Sequence, residues 1–226
     1  HPVLDHYRSL FRGSQFPRYL LNSIYVASAA TVFSTLISTP AAYSITRLRY
    51  RYRNVISKVI LLSYMFPGVL LMVPLYIFLS NIGLLDSLFG LTIVYVTWCA
   101  PFSTWILISF FKSVPADLEE ASMIDGASRF QALTKVLLPL SIPGVVTSMI
   151  FGFVSAWNEY PLAVILLSSE ANKTLPVGLS AWMQLYSIEW GSLAAGGVIT
   201  ILPIIAIFVL MGKSFIAGMT DGAVKG

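Results

Sequence analysis

The sequence predicts an all-α membrane protein, a polytopic bundle of helices, and three observations support this fold class. Of the 226 residues, 57% are apolar and only 11% are charged, whereas a soluble domain carries about 25% charged residues. The charged residues leave five uncharged runs, each longer than the roughly 20 helical residues that cross a bilayer. The basic residues also cluster in one short loop beside two of these runs. The predicted spans are Tyr19–Thr46, Val59–Leu85, Ser87–Phe111, Val136–Asn158 and Trp190–Gly212.

The loop between the first and second runs sets the predicted orientation. Short loops rich in Arg and Lys stay in the cytoplasm, so we place this loop inside and let the spans alternate from it. The C-terminus is then cytoplasmic. Because an odd number of spans would start outside, we expect one further span before this sequence, which makes six. The loop has no acidic residue, and its basic residues are Arg47, Arg49, Arg51, Arg53 and Lys58. Three arginines on the outer N-terminal side count against the assignment: Arg8, Arg12 and Arg18.

Single residues within the runs carry little functional information. Cys99 lies in the third run and is the one cysteine of the sequence, so no intrachain disulfide can form. His1 and His6 have no cluster of ligand residues around them, and no metal site is expected. Four prolines are expected to kink or break the spans: Pro67, Pro74, Pro101 and Pro203.

Residues 117–138 interrupt the apolar pattern with a charged helix–turn–helix. Asp117 precedes Glu120 by three positions, which is the spacing of a reciprocal capping box. The first helix is expected to end near Asp125, because Gly126 suits the left-handed position that follows a helix. Two short helices joined by a glycine are too short to span a membrane, so this segment is predicted to lie outside the bilayer.

A second helix is expected to follow the glycine. Ser128 and Gln131 repeat the capping-box spacing, and the helix is predicted to run to about Leu138, before Pro139 and Pro143 lead into the fourth span. A short segment with this apolar content either lies on the bilayer or docks against a protein. The first helix is acidic, whereas helices on a membrane surface prefer Lys and Arg. This difference favours a protein partner.

The segment closely resembles the EAA loop of permease subunits from ABC importers. The family pattern is Glu-Ala-Ala, three residues, Gly, nine residues, Ile, one residue and Leu-Pro. In this sequence a Ser replaces the third small residue and a Val replaces the Ile, and both substitutions keep size and character. The substituted positions are Ser122 and Val136, and the matching positions are Glu120, Ala121, Asp125, Gly126, Ala127, Leu138 and Pro139.

The resemblance extends over nearly the whole chain and points to carbohydrate-importer permeases of the maltose type. It implies a type I ABC importer transmembrane domain of six spans in the inner membrane of a prokaryote. The implied partners are a cytoplasmic ABC ATPase dimer that binds ATP-Mg, a second and different permease subunit, an extracytoplasmic solute-binding protein, and lipid. No cofactor, metal, nucleic acid or catalytic residue is expected on this chain. The stretches that carry the resemblance are HYRSLF, RYLLNSIYVA, PGVLLMVPLY, AWNEYPLA, KTLPVGL and GMTDGAVKG.

The resemblance also implies where the functional residues lie. The EAA loop is expected to seat on the ATPase and to move as a rigid lever, through Glu119, Glu120, Ala121, Asp125, Gly126 and Ala127. The outer loop 168–190 carries aromatic residues that either anchor at the membrane interface or contact the solute-binding protein: Trp182, Tyr186 and Trp190. Asn158 and Glu159, near the outer end of the fourth span, either line the substrate path or bond between helices. The tail GMTDGAVKG looks like a frayed end, and the resemblance implies contact with the ATPase pair.

The expected function is half of the translocation path for a sugar, a di- or oligosaccharide, in an ATP-driven importer. A permease of the same class for glycerol phosphate or a polyamine is the alternative. A secondary transporter would carry more ionisable residues in the spans than Glu159 alone. A membrane-embedded enzyme would need a nucleophile with a base or a metal cluster, and the spans contain no His. The sequence has no G-x-x-x-x-G-K phosphate loop, so another subunit must hydrolyse the ATP.

Overall fold

The computed structural model describes the backbone of residues 5–12, 14–182 and 190–223, and the side chains of residues 5–12, 14–180 and 190–212. This part of the chain is helical and contains no β-strand, as the sequence predicts. A 3₁₀ turn at Gly68–Leu71 and a π turn at Leu133–Leu137 interrupt the α-helices. The α-helices are α1 (Asp5–Arg12), α2 (Phe16–Arg47), α3 (Arg53–Met65), α4 (Met72–Asn81), α5 (Leu88–Ser113), α6 (Ala116–Ile124), α7 (Arg129–Ala132), α8 (Leu138–Leu140), α9 (Ile142–Trp157), α10 (Pro161–Leu166), α11 (Leu175–Trp182) and α12 (Trp190–Ala223).

The described residues hold between three and five candidate spans. The second and fourth predicted spans are bent pairs of helices, so the predicted number of five is reached if each pair crosses once. The helices long and apolar enough to cross alone are Phe16–Arg47, Leu88–Ser113 and Trp190–Gly212. The bends are 86° between Arg53–Met65 and Gly68–Asn81, and 79° between Arg129–Leu140 and Ile142–Trp157. The backbone of α12 continues to Ala223, so most of the tail that was expected to fray is helical.

The first break lies at Pro67, one of the four prolines expected to disturb the spans. Phe66 is extended, with φ −70° and ψ 128°, because a residue before proline is disfavoured in the α conformation. Pro74 lies in the first turn of α4. An N–H group at this position would have no acceptor within the helix, so its absence in proline does not break the helix. Pro101 and Pro203 lie within continuous helices, so the breaks considered there do not occur.

The second break lies at Ser141, between α8 and α9. Ser141 has φ −103° and ψ 13°, and Pro143 two residues later cannot donate a helical hydrogen bond. The first residues of the fourth predicted span, Val136–Leu140, therefore lie before the bend and belong to the crossing if the bent pair crosses the membrane once. The straight part, α9, has 16 residues and a length of about 24 Å, which is less than the roughly 30 Å hydrocarbon core of a bilayer.

The chain divides into two compact units, and the first comprises residues 1–30, 67–95 and 153–208. Its interior contains several of the largest buried side chains, among them Phe16, Tyr95 and Trp157. The indole N–H of Trp157 donates to the carbonyl of Thr200 at 3.2 Å, and its ring stacks on Phe153 with centroids 5.5 Å apart. A buried indole thus keeps a hydrogen-bond partner, as buried polar groups require.

The second unit comprises residues 31–66, 96–152 and 209–226. Within it, the Ser38 hydroxyl of α2 donates to the Ala100 carbonyl of α5 at 2.9 Å, and the free Cys99 is buried. The unit contains a hydrophobic cluster that joins α2 and α5 to the π turn, and we call it the base cluster. Its buried members are Ala42, Tyr43, Ile45, Leu107, Ile108, Phe111, Val114, Leu133 and Leu137.

Candidate functional site

The helix–turn–helix predicted over residues 117–138 is present in the second unit, with a correction at its start. Helix α6 begins at Ala116, and no side chain caps its N-terminus. The predicted capping box of Asp117 with Glu120 is therefore wrong. Pro115 is extended (φ −56°, ψ 133°) and takes the N-cap position, so the helix starts two residues earlier than expected. Asp117 lies inside the first turn, where its charge interacts favourably with the helix dipole.

The turn after α6 has the predicted left-handed glycine. Gly126 has a φ of 93°, its N–H donates to the carbonyl of Met123 at 3.1 Å, and the next N–H, of Ala127, donates to Ser122 at 3.0 Å. These two bonds form the Schellman motif, which satisfies the last carbonyl groups of a helix. A Cβ added at Gly126 would meet no atom within 4 Å. The glycine is therefore required by the backbone conformation and not by a lack of space.

The second capping box is confirmed. The Ser128 N–H donates to Oε1 of Gln131 at 2.8 Å, and the Gln131 N–H donates to the hydroxyl oxygen of Ser128 at 3.3 Å. The helix then passes through the π turn and ends at Leu140, two residues later than predicted. The π turn, which no feature of the sequence predicts, carries Leu133 and Leu137 into the base cluster.

The six residues predicted to couple to an ATPase differ in exposure. Glu119 is buried, with 3% of its surface exposed, whereas Glu120 is exposed. Consecutive residues of an α-helix point about 100° apart, so one carboxylate can face the interior of the unit while the next faces outward. Ala121, Asp125 and Gly126 are exposed, and Ala127 is half-buried.

Two large apolar side chains are exposed on either side of the glycine turn, and we call them the apolar tip. Ile124, the last residue of α6, is 86% exposed, and Phe130 in α7 is 73% exposed. Scattered exposed apolar residues are ordinary, but these two flank one short turn whose acidic neighbours Glu120 and Asp125 are also exposed. An apolar centre with charged neighbours is the composition expected of a protein-binding surface.

The buried Glu119 pairs with Arg47, which lies in the last turn of α2. Nε of Arg47 donates to the carboxylate, and Nη2 donates to the carbonyl groups of Phe111 at 2.9 Å and Val114 at 2.8 Å. From the sequence alone, Arg47 is expected only to be one of the cations of the basic loop. The sequence carries no local signal for this pair, because Arg47 and Glu119 are 72 residues apart.

In the first unit, Glu159 connects α5 to the start of α10. Its carboxylate accepts a hydrogen bond from the Tyr95 hydroxyl at 2.5 Å, and from the N–H groups of Leu162 at 2.7 Å and Ala163 at 3.1 Å. These N–H groups belong to the first turn of α10 and have no acceptor within the helix. Asn158 is exposed and donates to a carbonyl of its own helix at 2.9 Å. Both carboxylate oxygens of Glu159 are thus bound to protein.

The predicted outer loop 168–190 contains helix α11 and, before it, a tightly bonded stretch. Oδ1 of Asp86 accepts hydrogen bonds from the N–H groups of Ser168 and Ser169 at 2.9 and 3.0 Å, and from the Ser169 hydroxyl at 3.1 Å. Partial burial raises the pKa of Asp86, but these bonds favour the charged form more strongly and hold its pKa below the usual value. Residues 168 and 169 are therefore fixed to the loop before α5.

A second set of bonds fixes the same stretch to α2. The Tyr19 hydroxyl donates to Glu170 at 2.5 Å, and the Asn22 amide donates to the carbonyl groups of Ala171 and Lys173, both at 2.9 Å. Glu170 also pairs with Lys173, and the bonds from Lys173 and Tyr19 lower the pKa of Glu170. None of these partners was predicted, because hydrogen bonds between distant segments leave no periodic signal in a sequence.

The three aromatic residues predicted either to anchor at the membrane interface or to contact a binding protein are only partly described. Trp190 is the first residue of α12 and is 70% exposed. Tyr186 and the side chain of Trp182 lie outside the described residues. In the part of the chain that the structure describes, the His, Cys, Asp and Glu side chains form no group of three that could hold a metal ion.

Comparison with known proteins identifies the family of the chain. Residues 34–214 match the family described as the inner membrane component of binding-protein-dependent transport systems. A relative from Thermococcus litoralis, the trehalose/maltose transport system permease protein MalG, is 38% identical over 93% of this chain and 76% of its own length. The sulfoquinovosyl glycerol transport system permease protein SmoH of Agrobacterium fabrum is 39% identical over all of this chain and 79% of its own length.

A solved structure supports the same assignment at the level of the fold. The crystal structure of a bacterial ABC transporter involved in the import of the acidic polysaccharide alginate has a TM-score of 0.82 at 28% identity. The match covers 93% of this chain and 79% of that chain. The fold is therefore that of an ABC transporter transmembrane domain. The chain belongs to the family of inner membrane components of binding-protein-dependent transport systems.

Proposed function

We propose that the chain is the permease subunit of a carbohydrate importer and forms half of its translocation path. The support for the solute class is that the similar proteins are named for trehalose/maltose and sulfoquinovosyl glycerol and, among solved structures, for alginate. All of these solutes contain sugar units. Disaccharides or short oligosaccharides are therefore the first solutes to test.

We further propose that residues 117–138 dock on a cytoplasmic ABC ATPase that binds ATP-Mg. The observation that carries this proposal is the contrast between the two ends of the segment. The apolar tip, Ile124 and Phe130, is exposed, while Leu133 and Leu137 are buried in the base cluster. Because the segment is anchored at its base and its apolar tip is exposed, a protein that binds the tip can move the whole segment as a unit.

A resting place on the lipid surface is the competing role for this segment. The exposed acidic residues Asp117, Glu120 and Asp125 argue against it, since the cytoplasmic leaflet is negatively charged and repels carboxylates. A protein cleft with basic residues at its rim satisfies both the acidic residues and the apolar tip. The ATPase supplies the nucleotide site, because the sequence has no phosphate loop of its own.

The remaining partners follow from the same assignment. The basic loop before α3 lies on the cytoplasmic side, together with residues 117–138 and the C-terminus. A second, different permease subunit completes the path. An extracytoplasmic solute-binding protein docks near the stretch 168–174 and the exposed Trp190. The hydrogen bonds of Asp86, Glu170 and Asn22 support this last role, because a pre-formed surface loses less entropy on binding.

The solute is tested by transport into proteoliposomes that contain the complex recovered with this chain. We expect ATP-dependent uptake of labelled trehalose or maltose when the co-purified solute-binding protein is present. Glycerol phosphate and a polyamine serve as competing solutes in the same assay. Uptake of either of these, with none of the sugars, would overturn the carbohydrate assignment and leave the importer assignment in place.

Docking is tested by truncating the apolar tip with Ile124→Ala and Phe130→Ala, each measured as the affinity of the co-purified ATPase for the permease in nanodiscs. Truncation of a central interface residue costs about 2 kcal/mol or more, so we expect an affinity loss of at least roughly 30-fold. Phe89→Ala is the matched control, because Phe89 is also exposed (58%) but lies at the start of α5. Wild-type affinity in both tip variants would rule out the docking proposal.

A further inference from the structure

Arg47 spans the junction between α5 and α6. Its Nη2 atom donates to the carbonyl groups of Phe111 and Val114, which come before Pro115, and its Nε atom donates to Glu119, which comes after it. A single guanidinium therefore bonds to both sides of the link that joins the long helix to the segment 117–138. Arg47 itself belongs to a third helix, α2.

The charges at this junction suit their positions. Phe111 lies in the last turn of α5, where carbonyl groups lack helical partners and a cation is favoured, while Glu119 lies in the first turn of α6, where an anion is favoured. The side chains of Arg47 and Glu119 are 12% and 4% exposed. Water therefore competes little for their hydrogen bonds, and the planar guanidinium holds three acceptors at defined angles.

The apolar contacts of the same segment differ in kind. Leu133 and Leu137 join the second helix of the segment to the base cluster, and apolar contacts have no preferred direction. Hydrogen bonds weaken steeply when the angle at the donor hydrogen bends. The leucine contacts can therefore adjust when α6 rotates. The bonds to Arg47 cannot adjust in this way, so a rotation of α6 must either move Arg47 with it or break the ion pair.

We propose that Arg47 is a positioning residue that passes the movement of α6 to α2 and α5, with Glu119 as its partner. Glu119 then acts inside the subunit and does not contact the ATPase, whereas the adjacent exposed Glu120 does. This inference rests on the proposed function. It separates two roles within the segment 117–138: the apolar tip and Glu120 bind the ATPase, and the Arg47–Glu119 pair converts its motion into movement of the spans.

The test measures two quantities on the same variants: affinity for the ATPase, and molecules of solute transported per ATP hydrolysed. In Glu119→Gln, which keeps the shape of the side chain, and in Arg47→Lys, which keeps the charge but loses the fork, we expect affinity within about twofold of wild type. Transport per ATP should fall about tenfold or more. Glu120→Gln should instead weaken ATPase binding. Lys112→Gln, which removes an exposed cation in the last turn of α5, should change neither quantity.

Each variant is compared on the fraction that elutes as folded complex, so that loss of protein is not counted as loss of coupling. The solute is labelled trehalose or maltose, or the competing solute if the wild type transports that instead. Wild-type transport per ATP in both Glu119→Gln and Arg47→Lys would overturn the inference. An affinity loss in Glu119→Gln equal to that in Glu120→Gln would overturn it as well. Wild-type ATPase binding by the two tip variants would contradict the docking proposal, and it is scored separately.

Discussion

Gly126→Ala is expected to weaken ATPase docking through backbone strain alone. The φ of Gly126 is 93°, and an added Cβ would meet nothing within 4 Å, so no steric clash contributes. A side chain in the left-handed region costs about 1–2 kcal/mol. If the free segment relaxes from this strain and docking restores it, the ATPase affinity falls by a factor of roughly 5–30.

The assay is a titration of labelled ATPase against the permease in nanodiscs, with wild type, Gly126→Ala and Gly126→Asn measured side by side. Asn populates the left-handed region several-fold more often than other residues with side chains, so it should recover part of the affinity. This order, with Gly binding best and Ala worst, is expected for strain. An effect of side-chain size would make Asn the weakest binder.

Gly83→Ala provides a matched control. Gly83 also follows a helix in a Schellman motif: its φ is 70°, its N–H donates to Ser80 at 3.2 Å, and the N–H of Leu84 donates to Leu79 at 2.9 Å. An added Cβ there also meets nothing within 4 Å. Gly83→Ala should therefore introduce the same strain but leave ATPase affinity unchanged, because Gly83 lies outside the segment 117–138. Equal losses in the two alanine variants, or no loss in Gly126→Ala, would refute the reasoning.

Three further predictions concern the first unit. Glu159→Ala leaves two N–H groups at the start of α10 without an acceptor and should destabilise the protein by about 2 kcal/mol or more, seen as a lower thermal unfolding temperature. The pKa of Asp86 is lower in the folded protein than its ordinary value of 3.8, so the charged carboxylate stabilises the fold. This stabilisation is fully present above pH 3.8 and is lost as the pH falls through the pKa of the folded state. The unfolding temperature of Asp86→Asn should therefore change less than that of wild type between pH 5 and pH 3. Gly178→Ala would place a Cβ 2.1 Å from the ring of Tyr19 and should cost about 1–3 kcal/mol by overpacking. Gly197→Ala, whose Cβ meets nothing within 4 Å, should cost nothing, and equal unfolding temperatures in these two variants would contradict the packing argument.

The features that were predicted correctly depend on short-range chemistry. A left-handed glycine ends a helix whatever surrounds it, so Gly126 was predicted correctly, and the reciprocal bonds of Ser128 with Gln131 need only three residues of separation. The first capping box failed for a reason equally local. Pro115 is extended and takes the N-cap position, so Asp117 lies inside the first turn and cannot cap the helix.

The features that were missed depend on partners far apart in the chain. Arg47 and Glu119 are 72 residues apart, and Asp86 and Ser169 are 83 apart. Hydrophobic periodicity shows which residues are apolar, but helices in a membrane are apolar all round. It therefore could not show which side of each helix faces a neighbour, or which polar residues meet there.

By itself, the sequence determined the class of the protein, the number of apolar runs, and the turn at Gly126, because bilayer thickness and backbone sterics act on residues close together. Only the tertiary structure decided that Glu119 is buried and Glu120 exposed, and that Phe130 is exposed while Leu133 is buried. The physical reason is that burial depends on what packs against a residue. Chemically equivalent neighbours on one helix receive opposite roles according to which of them lies toward α2 and α5.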